Sequence, residues 1–426
     1  MSGRRVDEVA YSRRRFLAGA GVVAGAVVAG RSLDVWGHPM VAGAAPQARL
    51  TGVKGRTVVF VELAGGNDGI GTVVPHADPG YRRLRPTLAV DPIDLDGSVG
   101  LHPSLARLAE RFRAGHVAIV EGVGYPNNDL SHFASLANWW TAQPGTPGTT
   151  GWLGRYLDAT VGYDDPLAGV VIGPGPSPAL LGERSFATSI SDASGLDPRL
   201  PPWITRPDTL VDAWAGFASE RADRSSVVGQ VRESVGLTVA ARRDLERALT
   251  ASAEEPTTPA ASSAYADGTA VESFDLAARL VTAKKPPKVI YVTNLGDYDT
   301  HQGQATRQAD LLRDLDGGLD RFFTMVEAAG VTDKVMVMTL SEFGRRAQEN
   351  GSGTDHGNAG AHFIVGSRVK GGRYGQPTAL ATLDARGNLP FAVDFRSMYA
   401  TALEGWLGVE AEPILGKGFA PQRIFV

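Results

Sequence analysis

Four short polar clusters hold the residue types in this chain that can do chemistry, and each follows a strand-like apolar run. Gly65-Gly66-Asn67-Asp68-Gly69 follows Val58–Leu63, and Asn127-Asn128-Asp129-Leu130-Ser131-His132-Phe133 follows Val117–Val120. Asp297-Tyr298-Asp299-Thr300-His301 follows Val289–Thr293. Ser341-Glu342-Phe343-Gly344-Arg345 follows Val335–Leu340, with Thr354-Asp355-His356-Gly357-Asn358 shortly after it. Together they hold three of the eight histidines and several acids. One such cluster is ordinary turn chemistry, because turns require Gly, Asn and Asp. Four at one edge of a sheet call for another explanation: in open α/β sheets, ligands bind beyond the carboxyl ends of the strands. The chain has no cysteine, which excludes disulfides, thiolate catalysis, Cys-ligated zinc and iron–sulfur clusters. Carboxylate and imidazole are then the natural ligands, suited to one or two divalent ions of Zn, Mn, Mg or Ca.

Asp299 and His301 are two apart and project to the same side of an extended segment. Asp297 and His301 would share a face only in a helix, which Gly296 opposes. The alternative for Asp299 is a cap on the helix beginning near Gln304. Glu342 ends a very apolar strand, where an uncompensated carboxylate is costly. It is either a ligand or the partner of Arg345 or Arg346. His356 sits in a Gly-rich stretch, as a ligand or as part of a surface hairpin. His132 either hydrogen-bonds within the core or joins the site. His76, His102, His116 and His362 read as structural or surface residues.

The elements that must position these groups are legible as apolar runs at Thr57–Leu63, His116–Gly122, Gly169–Ile172, Lys288–Thr293, Lys334–Leu340 and Ala361–Val365. Several are continuous rather than alternating, as in strands covered on both faces. Helical periodicity runs through Leu101–Ala114 and Gln304–Ala329, the latter aligning Leu311, Leu312, Leu315, Leu319, Phe322, Phe323 and Val326. Strand–helix–strand alternation predicts an α/β fold with a mostly parallel sheet. Residues 206–250 and Glu272–Ala283 read as helices around a Ser/Ala/Thr/Pro-rich linker at 251–269. This makes 200–285 a helical insertion in a single domain spanning 45–426. With 42 Lys+Arg against 46 Asp+Glu, the net charge of −4 gives no reason to expect nucleic acid or an anionic membrane as partner.

Residues 1–44 read as a twin-arginine signal peptide. Arg13-Arg14-Arg15-Phe16-Leu17 precedes a Gly/Ala/Val run to Gly30, and Ala42-Gly43-Ala44 offers a cleavage site. The run is shorter than the roughly 20 residues that span a bilayer, so no stable membrane span is expected after cleavage. Gly19-x-Gly21-x-x-Ala24 imitates a dinucleotide fingerprint, but no strand precedes it. The expectation is export by the twin-arginine machinery to a periplasmic, cell-wall or secreted location.

The set AGGNDG at 64–69, SHF at 131–133, DTHxxQ at 299–304, SEFGR at 341–345 and TDHGxxGAHFIVG at 354–366, behind such a signal, resembles a bacterial exported family. That family is catalogued as domain of unknown function 1501, and the resemblance spans the mature chain. It is in turn similar to the alkaline-phosphatase/sulfatase-like superfamily. The resemblance implies a doubly wound α/β core, usually two metals, and a hydroxyl nucleophile. It places Asp68 or Asn67 at the first-strand metal acid and Ser131 in the region of the nucleophile. Asp299 and His301 resemble the acid and histidine of one metal site, and His356 the last histidine. Ser341-Glu342 stands where the superfamily has Asp-His. The sulfatase signature C/S-x-P-x-R, the elbow G-x-S-x-G and the P-loop are absent.

The resemblance implies a metal-dependent hydrolase of phosphate or sulfate esters, acting on a small molecule or an envelope polymer. Ser131 or water would attack, and Arg345 would clamp an oxyanion bidentately. The alternative is a catalytically silent relative that binds metal or an envelope ligand; a Ser-His hydrolase built on Ser131 is a third class.

Overall fold

A computed structural model describes residues 50–161, 165–185, 187–192, 206–220, 226–251, 270–293 and 295–426. The signal-peptide reading and most of the 251–269 linker lie outside the described residues. A mixed, mostly parallel sheet organises the chain, as the apolar runs predict. Its strands are β1 (Thr57–Glu62), β2 (Val117–Gly124), β3 (Gly169–Ile172), β4 (Ala187–Ile190), β5 (Val289–Val292) and β6 (Val335–Leu340). A hairpin of β7 (Gly344–Glu349) and β8 (Thr354–Gly357) leaves the sheet, and β9 (Gly360–Val365), β10 (Gly372–Gly375) and β11 (Val393–Asp394) return to it. The nine-stranded order is β10-β2-β9-β6-β1-β5-β3-β4, with β11 beside β2.

β1 lies parallel to both β5 and β6, Val58 pairing with Val289 on one side and Met336 on the other. β9 departs from the parallel expectation by running antiparallel to β2 and β6. The reason is the kind of connection: between β6 and β9 the chain forms the β7–β8 hairpin and no helical crossover, the usual means of returning a strand parallel to its neighbour. β4, β10 and β11 are short edge or flanking strands that the apolar pattern does not announce.

The continuous runs arise because both faces of the sheet are covered. Val59, Val61, Ile290, Val337 and Phe363 face helices α1 (Ala106–Arg113), α6 (Ala270–Thr282) and α7 (Gln304–Ala328) through Leu108, Phe274, Leu312, Leu315 and Phe322. Val58, Phe60, Val120, Tyr291, Met338 and Ile364 face α2 (His132–Thr141), α3 (Trp152–Thr160) and α8 (Phe395–Ala400) through Trp139, Trp152 and Tyr399. On that face Trp152 stacks on Tyr399 at 4.0 Å and Trp139 on Phe395 at 4.5 Å. Between β4 and β5, α4 (Pro207–Ser219) meets α5 (Val227–Ala251), and α5 adds Leu245 to the first face. Among the described residues no helix is long and apolar enough to cross a membrane.

This architecture delivers the polar clusters to one place. The segments after β1, β2, β5 and β6 all emerge at the carboxyl edge, and the β7–β8 hairpin folds over them.

Candidate metal centre

Glycine lets these segments approach. Gly65 adopts φ +108°, and a Cβ there would lie 2.4 Å from the Asp299 backbone nitrogen. Gly66 adopts φ +81°, and its Cβ would lie 2.4 Å from the Phe343 ring. A side chain at either position would push the first and third clusters, or the first and fourth, apart.

With the loops in contact, Asp299 becomes the meeting point of three histidines. Its Oδ1 lies 3.1 Å from Nε2 of both His356 and His301, and its Oδ2 lies 3.5 Å from Nε2 of His132. Nε2 of His301 and Nε2 of His356 face each other at 3.0 Å. Donor atoms of His132, Asp299 and His356 all fall within 4.8 Å of one another, a spacing that can hold a metal ion.

The far side of each ring is engaged. Nδ1 of His132 donates to Glu342 Oε1 at 2.9 Å, and Nδ1 of His356 donates to the Leu130 carbonyl at 2.8 Å. Nδ1 of His301 faces Asp355 at 3.6 Å. A carboxylate or carbonyl behind the imidazole fixes its tautomer and leaves the Nε2 lone pair pointing inward, the arrangement usual behind metal-bound histidines. Leu130 holds the left-handed φ of 61° that aims its carbonyl, an unusual conformation for a residue with a bulky side chain. Phe343 underlies His132 and His356, with ring centroids at 4.9 and 4.5 Å.

The electrostatics follow from these contacts. Burial pushes the Asp299 carboxyl up, but hydrogen bonds from Arg345 and His356 and the charge of Arg345 outweigh it, holding the group at about 2. The Glu342 hydrogen bond raises His132 above its ordinary value, against burial. Burial lowers His356, with the Leu130 carbonyl and Asp299 opposing.

The structure therefore brings Asp299, His301 and His356 together and adds His132, whose place no spacing in the sequence discloses. Other candidates sit elsewhere. Asp68 is 1% exposed, its carboxylate bound by Arg85 Nη1 at 2.5 Å, Arg85 Nη2 at 3.0 Å and Gln304 Nε2 at 2.5 Å. Its carboxylate is thus engaged by Arg85 and Gln304, whereas it is Asp299 that the three histidines neighbour. Asn67 is also buried, its side-chain oxygen accepting from Thr72 at 3.0 Å. Glu342 stands behind His132 rather than among the donors, and also accepts from the Gly65 N–H at 2.8 Å. Arg345, placed as an oxyanion clamp by sequence, is fully buried. It donates to the carbonyls of Gly66 at 2.7 Å, Thr354 at 2.9 Å and Tyr298 at 3.0 Å, and to Gly65. Its remaining contact, to Asp299 at 2.5 Å, makes it the anchor of that carboxylate. Ser131 is the N-cap residue of α2, and its side chain makes no capping bond.

Fold and site together define an α/β protein with a histidine–carboxylate centre at the carboxyl edge of a mostly parallel sheet, suited to a divalent cation. The chain belongs to the family described as protein of unknown function, DUF1501, whose model matches residues 113–415. No curated protein matches the sequence. Similar solved structures include Ps i-CgsB in complex with k-i-k-neocarrahexaose, at 11% identity and TM-score 0.39, covering 84% of this chain and 74% of that one. They also include the alkaline phosphatase of the Antarctic bacterium TAB5, at 9% identity and TM-score 0.30, covering 75% of this chain and 92% of that one. A mutant of that enzyme with Mg bound aligns at 10% identity and TM-score 0.29, over 75% and 91% of the respective chains. At these scores the likenesses say nothing about chemistry.

Proposed function

We propose that this protein is an exported, metal-dependent hydrolase of phosphate or sulfate esters, with Asp299, His132, His356 and His301 holding a divalent ion. The observation that carries the proposal is the 3.0 Å approach of two imidazole nitrogens over one carboxylate. His356 donates from Nδ1 to a carbonyl, so its Nε2 meets the ionised carboxylate oxygen across a proton or a cation. Acceptors face one another only when a proton or a cation lies between them. Imidazole and carboxylate together suit Zn or Mn better than an all-oxygen cage for Ca would require.

A bound divalent ion would supply Lewis acidity, polarising an ester oxygen and lowering the pKa of water. The chain's own residues do the rest. Arg345 holds Asp299 ionised and oriented, Glu342 and Leu130 fix two rings, and Phe343 supports both. Ser131 stands at the positive end of α2, where a developing negative charge on its oxygen is favoured. Either Ser131 or water serves as nucleophile.

The inward closure of Arg345 and Asp68 favours a second reading, an ion-binding body of the same fold without turnover. To separate the two, metal-free protein is reloaded with Zn or Mn and assayed on aryl esters of phosphate and sulfate. Turnover that appears with metal, vanishes with chelator and is lost in Asp299→Ala supports the hydrolase; stoichiometric binding with no turnover supports the silent reading.

A further inference from the structure

We propose that the amino-terminal edge of the sheet is a docking surface for an anionic lipid bilayer, held there by lysine charge. This surface lies at the end of the strands opposite the metal centre and does not depend on the hydrolase reading.

The chain has seven lysines, and six of them collect at this edge. Lys54 stands three residues before β1, and Lys284, Lys285 and Lys288 lead into β5. Lys334 immediately precedes β6, and Lys370 lies between β9 and β10. The sheet order makes β9, β6, β1 and β5 consecutive neighbours. Pairing of Thr57 with Val335 and of Val58 with Val289 brings the starts of β1, β5 and β6 level. β9 runs the other way, so its end rather than its start comes to this edge. Four strands at their usual separation spread the charge over about 15 Å. Arg56 and Arg368 join the row, and the bond from the Lys370 N–H to the Ile424 carbonyl brings Arg423 beside it. Lys417, the seventh lysine, pairs with Glu412.

The acids at this edge are too few to neutralise it. Lys285 pairs with Asp165 at 2.9 Å, but Lys54, Lys284, Lys288, Lys334 and Lys370 have no ion-pair partner among the described residues. The other described acids here are Asp333, whose charge acts on Arg56, and Glu404, which accepts from the Ala411 N–H at 3.1 Å. Glu410 and the terminal carboxylate of Val426, bound by Arg368 at 3.0 Å, complete the set. Toward the flanks the charges balance or turn acidic. Arg111 and Arg113 stand with Glu110 and Glu327 before β2, and Arg184 with Glu183 and Asp158 before β4. A net charge of −4 conceals this face because the excess of acids lies elsewhere.

The side chains point to lipid. An ammonium on a flexible stem is drawn to a diffuse anionic surface, whereas bidentate recognition of one anion calls for a guanidinium. Two apolar side chains stand among the lysines, Val53 at 41% exposure and Val426 at 71%. The interfacial zone of a bilayer accepts such groups beside cations. Leu50 enters the domain at this edge, its N–H bonded to the Ala159 carbonyl at 2.9 Å. The segment read as a signal peptide therefore tethers this edge, and not the metal centre, to a membrane.

The test is co-sedimentation of the mature chain, residues 45–426, with vesicles of phosphatidylglycerol and vesicles of phosphatidylcholine. Binding to phosphatidylglycerol alone is expected. It should be lost as salt rises from about 0.1 M to about 1 M and the screening length falls from about 10 Å to about 3 Å. Lys54→Gln, Lys288→Gln and Lys334→Gln combined should weaken it about a hundredfold, at about fivefold per charge. Arg82→Gln, Arg313→Gln and Lys417→Gln combined remove the same charge elsewhere and should leave binding nearly unchanged, with circular dichroism confirming that both variants fold. Equal binding to phosphatidylcholine, no binding to phosphatidylglycerol, or equal losses in the two variants overturns the assignment. Capture of soluble polyphosphate in preference to vesicles also overturns it, making the edge a site for a polymeric anion.

Discussion

Nδ1 of His132 lies 2.9 Å from Oε1 of Glu342, a carboxylate only 1% exposed at the end of β6. Two residues 210 apart in sequence thus form a buried carboxylate–imidazole pair whose other face points at Asp299. Such a pair orients a ring for a metal rather than binding the metal itself. Glu342→Gln retains the shape and removes the charge. It should weaken Zn affinity by about 10–100-fold, measured by competition with a chromophoric chelator, while changing the melting temperature little. Unchanged affinity would show that Glu342 is merely a satisfied core acid.

Asp68 and Arg85 test the opposite assignment. Both are buried, and removing one partner leaves the other charge without compensation. Arg85→Ala should cost about 3–5 kcal/mol in denaturant unfolding. The paired replacement Asp68→Leu with Arg85→Met should cost much less and keep the full metal content. Loss of metal in the paired variant would return Asp68 to the centre.

The close approach at Gly65 predicts a stability and binding effect together. Gly65→Ala places a methyl group in left-handed backbone against Asp299. Overpacking costs about 1–3 kcal/mol, and the left-handed conformation adds roughly 1–2 kcal/mol. Because the displaced backbone carries Asp299, metal affinity should fall along with stability; a drop in stability at constant affinity contradicts the role given to this contact.

His362, on β9 beside Trp139, supplies a pH effect remote from the centre. Burial alone pushes its ring down to about 4, from an ordinary value of 6.5. The unfolded chain therefore binds a proton that the folded chain refuses between those values. Stability is complete above about pH 6.5 and declines as pH falls toward 4, by up to about 3 kcal/mol. His362→Met should flatten that part of the stability–pH curve. An unchanged slope would assign the acid sensitivity to other groups.

Much of this arrangement is legible in sequence because strand burial and loop chemistry are local. The runs at Thr57–Leu63, Lys288–Thr293 and Lys334–Leu340 announce central strands, and the polar groups directly after them reach the sheet edge together. Asp299, His301 and His356 are recoverable on that basis. His132 is harder, since one histidine at the start of a helix bears no spacing relation to partners 167 residues or more away. Arg345 misleads because arginine is usually a surface or ligand-facing residue, and nothing local reveals that four carbonyls surround it. The Arg85–Asp68 pair is invisible for the same reason: it depends on a loop path, not on periodicity. The reversed direction of β9 is likewise a matter of connection, which an apolar run does not encode.

The most direct measurement is an equilibrium titration of metal-free protein with Zn, counting ions per chain in the wild type, in Asp299→Ala and in a His132→Ala, His356→Ala double variant. Convergence of these side chains on a cation requires saturable uptake of one ion by the wild type and its loss in both variants, each still folded by circular dichroism. Full uptake by the double variant, or none by the wild type, would contradict it.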